Sequence, residues 1–230
     1  MIAALAAGSG LVGLAIGAWT LVAIERIPDR RSLRARPFPE IAAGLRTPRG
    51  ILVVAGTGAL WSGLALRFGD TWELPAYLVL AAALMLLSMI DLDHQILPNR
   101  VVYPTTLAVL ALLGVATALD GVGDSYLTAL ACGAGAFVVF FTLHLVSPRG
   151  MGFGDVKLSF VLGLALGWFG VGETVVGLFL GFVYGAVIGV MLLATGIRSR
   201  KDAVPFGPFL AAGTLTAVFV GTAIVDWYRG

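Results

Sequence analysis

Arg149-Gly150-Met151-Gly152-Phe153-Gly154-Asp155-Val156-Lys157-Leu158 lies between apolar runs, with three glycines at alternate positions and a carboxylate after the last. Glycine adopts backbone conformations closed to other residues and lets a neighbouring chain approach closely. The run before this stretch, like several others in the chain, exceeds the ~18 residues that mark a membrane span. An ionisable group at the mouth of such a segment is by default a candidate functional residue. The plainer reading is an edge turn in which Asp155 only caps the next helix. This stretch alone leaves the two level. A second acidic cluster, Asp91-Leu92-Asp93-His94, at another predicted membrane edge favours function.

Composition sets the class. Of 230 residues, 59% are hydrophobic and 12% charged, against about 25% charged in soluble domains. The expected fold is all-α: a polytopic membrane helical bundle of about eight transmembrane helices, forming a single membrane domain over 1–230. The net charge of +2 does not point to nucleic acid, because the charges are sorted by loop instead of gathered in a patch. Cys132 is the only cysteine, which excludes an intrachain disulfide and a cysteine-cluster zinc site.

Residues 1–24 carry no charge and predict a retained first helix. A polar loop over 26–49 follows, rich in arginine and interrupted by Pro28, Pro37, Pro39 and Pro48, which argue against a continuous helix. It reads as an anchor on anionic lipid headgroups. Further spans are expected near 50–67, 74–91, 101–119, 125–146, 156–171, 174–196 and 208–226. Pro98 ends the helical course at Leu97, and Asn99 is the expected cap of the fourth span. The sixth span is short for a hydrocarbon layer of ~30 Å.

With the N-terminus outside, the loops at 26–49, 91–100, 147–157 and 197–203 face the cytoplasm. They hold all but Arg67 and Arg229 of the 15 lysines and arginines, the bias the positive-inside rule expects. Both acidic clusters then fall on the cytoplasmic face.

Carboxylates at the ends of two packed helices share one proton, because like charges so close cannot both ionise. The ionised member activates water and the protonated one polarises a peptide carbonyl, so no metal or cofactor is expected. The helix ends predict which is which. Asp91 at a helix C-terminus should hold the proton, and Asp155 at an N-terminus should be ionised. His144 has no cysteine beside it and reads as a partnered interior histidine.

Gly152-Phe153-Gly154-Asp155-Val156-Lys157 resembles the Gly-x-Gly-Asp signature of membrane aspartyl proteases, as found in the type IV prepilin peptidase family. Asp91-Leu92-Asp93-His94-Gln95-Ile96-Leu97-Pro98-Asn99 is similar to that family's first aspartate motif, and Val204-Pro205-Phe206-Gly207-Pro208-Phe209 to its C-terminal turn. The match covers most of residues 85–210. It implies a catalytic pair of Asp91 and Asp155 in a membrane aspartic endopeptidase. The implied reaction removes the basic leader from type IV pilin-like precursors, whose apolar helix lies against the bundle. Gly152, Gly154, Lys157, His94 and Asp93 are supporting candidates. Lys157 either tunes Asp155 or anchors to lipid, and His94 either bonds the acid or meets headgroups.

Ala18-Trp19-Thr20 departs from the family's opening helix, and the 26–49 loop lacks its paired Cys-x-x-Cys motifs. That loop is linked in the family to N-methylation, which is not expected of this short form. Two other classes compete. Asp91, Asp93 and His94 suit a hard or borderline cation in a metal-dependent membrane phosphotransferase. Acids in a bundle also suit a proton-coupled transporter, although most acids here sit at predicted membrane edges.

Overall fold

The computed structural model describes residues 1–29, 38–148, 150–196 and 204–230. Arg30, Arg31, Arg34, Arg36 and Pro37, Arg149, and the basic run Arg198-Ser199-Arg200-Lys201 lie outside them. Nine helices account for the regular structure among the described residues: α1 Ile2–Arg26, α2 Phe38–Gly44, α3 Pro48–Phe68, α4 Leu74–His94, α5 Asn99–Asp120, α6 Gly123–Val146, α7 Phe153–Gly167, α8 Val171–Ala194 and α9 Gly207–Arg229. All but α2 and α7 are long and apolar enough to cross a membrane. The all-α reading holds, and the chain is a multi-pass membrane protein.

Local chemistry sets the helix ends. Thr47 caps α3 by accepting the Gly50 N–H at 3.0 Å, and Pro48 occupies the first turn, where a missing N–H is harmless. The 26–49 stretch is discontinuous but not wholly loop. The short helix α2 forms within it, and Glu40 on α2 pairs with the buried Arg26 at the end of α1. Asn99 is the first residue of α5 instead of its cap; Pro98 takes the cap position without a side-chain bond. Helix α4 runs a turn beyond Asp91 and stops at Gln95, whose φ of 52° is the only positive value among the described non-glycine residues.

The chain folds into two compact units, Met1–Ile90 with Pro98–Gly121, and Asp91–Leu97 with Val122–Gly230. In the first, α1 lies along α3 on glycines. A Cβ added at Gly17 would fall 2.8 Å from the Val54 Cα. Phe68 and Tyr77 stack at 4.5 Å where α3 turns into α4.

The second unit is built around α7. Eleven of its fifteen residues are buried, on all sides of the helix. That explains an apolar helix of about 22 Å that is too short to span a ~30 Å layer: protein, not lipid, surrounds it. Since lipid is as apolar as leucine, such helices associate by close packing of small residues. Gly163 and Gly167 of α7 meet Ala129, Cys132 and Ala136 of α6, and a Cβ on Gly163 would sit 2.6 Å from the Cys132 carbonyl oxygen. Gly177 and Gly181 of α8 meet Gly213 and Ala217 of α9 in the same way. Cys132 is therefore a packing residue.

Candidate active site

Asp91 and Asp155 are both in the second unit and both buried, at 5% and 7% exposure. Asp91 stands in the last turn of α4, where its own carbonyl accepts the Gln95 N–H at 2.9 Å. Its Oδ2 accepts the Gly207 N–H at 3.0 Å, a bond across 116 residues of chain. Gly207 opens α9, where N–H groups have no helical partner and are available to an acid. Phe206 holds this turn in place, with its ring 5.0 Å from that of Phe182 on α8.

Asp155 is the third residue of α7, which is capped by Gly152. The Asp155 N–H donates to the Gly152 carbonyl at 3.1 Å, and the Gly152 N–H in turn faces the Asp155 carboxyl. This is half of a capping box, in which an acid at the third position reaches back to the cap. The plainer reading of Asp155 as a helix-capping group is thus correct as far as it goes. The residue is also buried beside a second acid.

The glycines around the pair have steric reasons. A Cβ on Gly152 would lie 3.3 Å from Asp155 Oδ2, one on Gly154 2.9 Å from the Leu97 Cβ, and one on Gly207 2.8 Å from Asp91 Oδ2. Leu97 and the Gly207 N–H were not picked out as site groups from the sequence. The Pro205-Phe206-Gly207-Pro208 run carried the signal for the second: a glycine between a turn and a helix start.

Burial pushes the Asp155 carboxyl up from its ordinary 3.8 to about 7. The nearby charge of Asp91 adds to the rise, and the Gly152 N–H pulls the other way. Asp91 has the Gly207 N–H on it, a donor that suits the ionised partner of a pair. The burial of Asp155 works against the ionised form expected of it from its helix end.

Asp93 and His94 are exposed while Asp91 is buried, as a separation of about 200° between residues two apart on a helix requires for Asp93. Lys157 Nζ lies 4.8 Å over the Phe153 ring. His144 has a partner, as expected: its Nδ1 is 2.8 Å from the Met151 carbonyl oxygen, tying the end of α6 to the glycine stretch. Among the described residues, no three His, Cys, Asp or Glu side chains are grouped to hold a metal ion.

A model of the type IV leader peptidase family matches residues 78–192, which include both buried acids. Among curated proteins, the chain is 35% identical to a prepilin leader peptidase/N-methyltransferase of Pseudomonas aeruginosa over 81% of this chain and 62% of the relative. It is 31% identical to one of Aeromonas hydrophila over 90% of this chain and 71% of the relative. A third, from Legionella pneumophila, is 36% identical over 71% of this chain and 56% of the relative. The chain therefore spans less than two thirds of the Pseudomonas and Legionella proteins. No solved structure matches it significantly.

Proposed function

Since the chain belongs to the type IV leader peptidase family, we propose that it is a membrane aspartic endopeptidase that removes the basic leader from type IV pilin-like precursors. The observation that carries this reading is the buried pair Asp91 and Asp155, each held by a backbone N–H at a helix start. Asp91, ionised under the Gly207 N–H, takes a proton from water. The hydroxide so formed attacks the scissile carbonyl carbon, and Asp155 gives its proton to the carbonyl oxygen. On collapse, the C–N bond breaks and the amine leaves with the proton that Asp91 received. One hydroxyl of the intermediate returns its proton to Asp155 as the carbonyl re-forms, so both carboxyls end in their own starting states.

Residues 85–210 hold all the groups this scheme uses, so the catalytic core is assigned there. The loop at 26–49 serves as a cytoplasmic anchor. The loop bias of basic residues supports an N-terminus outside and a site at the cytoplasmic face of the prokaryotic plasma membrane. The substrate's apolar helix then lies in the bilayer with its scissile bond at headgroup level. N-methylation is not assigned to this chain, whose single cysteine lies in α6 and not in the loop between α1 and α3. The test is co-expression with candidate pilin precursors and measurement of product mass. Wild-type chain should yield a product shortened by the leader, and an intact precursor would refute the proposal.

A further inference from the structure

The first unit contains a cavity that the acids do not use. It measures about 340 Å³, and its walls include Trp19 and Ala23 of α1, Ala83 and Leu86 of α4, and Pro104 of α5, with Arg100 also lining it. Apart from the arginine, these walls are almost wholly apolar. Thr20 also lines the cavity, but its hydroxyl is turned to its own helix, bonded to the Ile16 carbonyl at 2.9 Å. Trp19 lines the cavity while remaining 47% exposed.

Length and charge choose the occupant. Along α1 the wall runs from Ile27 to Ile16, about 16 Å at the helical rise. That is roughly one leaflet, half of a ~30 Å hydrocarbon layer. A spanning helix from a partner would need twice that depth, whereas an acyl chain needs one leaflet. The cation is at one end only. Arg100 is exposed in the first turn of α5, close in sequence to the loop that the positive-inside bias assigns to the cytoplasm. A guanidinium offers paired N–H donors that match phosphate oxygens.

We propose that this groove binds one anionic phospholipid of the cytoplasmic leaflet, with an acyl chain in the cavity and the phosphodiester on Arg100. Ala18-Trp19-Thr20, where the sequence leaves its family's pattern, supplies two of the lining residues. The site stands independently of the proteolytic reading.

The test uses the full purified chain in detergent, titrated with phosphatidylglycerol or phosphatidylcholine of identical chains and read by native mass spectrometry. One phosphatidylglycerol should be retained in preference to phosphatidylcholine. Arg100→Gln, at an exposed position, should weaken that retention roughly fivefold, the factor for about 1 kcal/mol from one basic side chain at a membrane surface. Phosphatidylglycerol with brominated chains should quench wild-type tryptophan fluorescence more than that of Trp19→Phe. Equal retention of the two lipids would overturn the proposal, as would unchanged binding to Arg100→Gln or equal quenching in Trp19→Phe.

Discussion

Replacing Gly207 with alanine tests whether its N–H positions Asp91. The added Cβ would stand 2.8 Å from Asp91 Oδ2 and 3.3 Å from both Asp91 Cγ and Leu97 Cδ2. An aspartate side chain is short, and this one is buried in the last turn of α4, so it has little room to swing clear. Either the carboxyl rotates off the N–H or the turn retreats, and both break the 3.0 Å bond. A hydrogen bond to a charged group contributes about 1.5–3 kcal/mol. If that much of the transition state's stabilisation is lost, the rate falls about 10- to 150-fold at 1.36 kcal/mol per tenfold. Initial rates of precursor cleavage would be read by mass, beside Gly189→Ala, whose added methyl meets nothing within 4 Å. Gly189→Ala should melt near the wild-type temperature, and Gly207→Ala should melt lower but stay folded at the assay temperature. A Gly207→Ala rate within threefold of wild type, with the chain folded, would refute the positioning role.

Asp91→Asn and Asp155→Asn should each abolish cleavage while leaving membrane insertion intact, because the pair works as a unit; the exposed Asp93→Asn should keep much of its activity. With Asp155 pushed up to about 7, the one-proton state is lost above that pH, so cleavage should decline on the alkaline side of neutrality. Because the folded chain binds more protons than the unfolded one between about 4 and 7, stability should fall as pH rises through that window. Asp155→Asn should therefore melt higher than wild type at pH 8 and lose the advantage by pH 4; a constant difference would contradict the burial argument. Infrared spectra of labelled carboxyls should place the protonated-acid band on Asp155, and a band belonging to Asp91 would restore the opposite assignment. Chelators should leave cleavage intact, since a dyad needs no cation; loss of activity that added divalent metal restores would favour the metal reading.

Most of this architecture was legible because lipid imposes simple demands. Uncharged runs such as 1–24 must be helices, since a spanning chain has to satisfy its backbone internally. The two acids were legible for the same reason: charge at the mouth of an apolar segment has to be explained. The helix boundaries were less so. Residues 153–155 read as part of a loop because Gly154, with Gly152 just before it, is a poor helix former, yet they form the first turn of α7, where close packing by Leu97 leaves no room for a larger residue at Gly154. Likewise, the contact of Gly207 with Asp91 joins positions 116 residues apart. Spacing along the chain carries no trace of it.

The place of the proton shows where local reasoning stops. Helix ends act on a carboxylate by about 0.3–1 kcal/mol when exposed and up to ~2 when partly buried. By that measure Asp155, at the N-terminus of α7, should have been the easier of the two to ionise. But α7 is enclosed, and Asp155 is nearly as buried as the leucines that follow it. Moving its pKa from 3.8 to about 7 corresponds to a penalty on the order of 4 kcal/mol on the charged form, at 1.36 kcal/mol per pH unit. Desolvation and a neighbouring carboxylate thus outweigh the helix end by a factor of two or more. The enclosure by packed helices that lets α7 be too short to span is also what disfavours charge on its first acid.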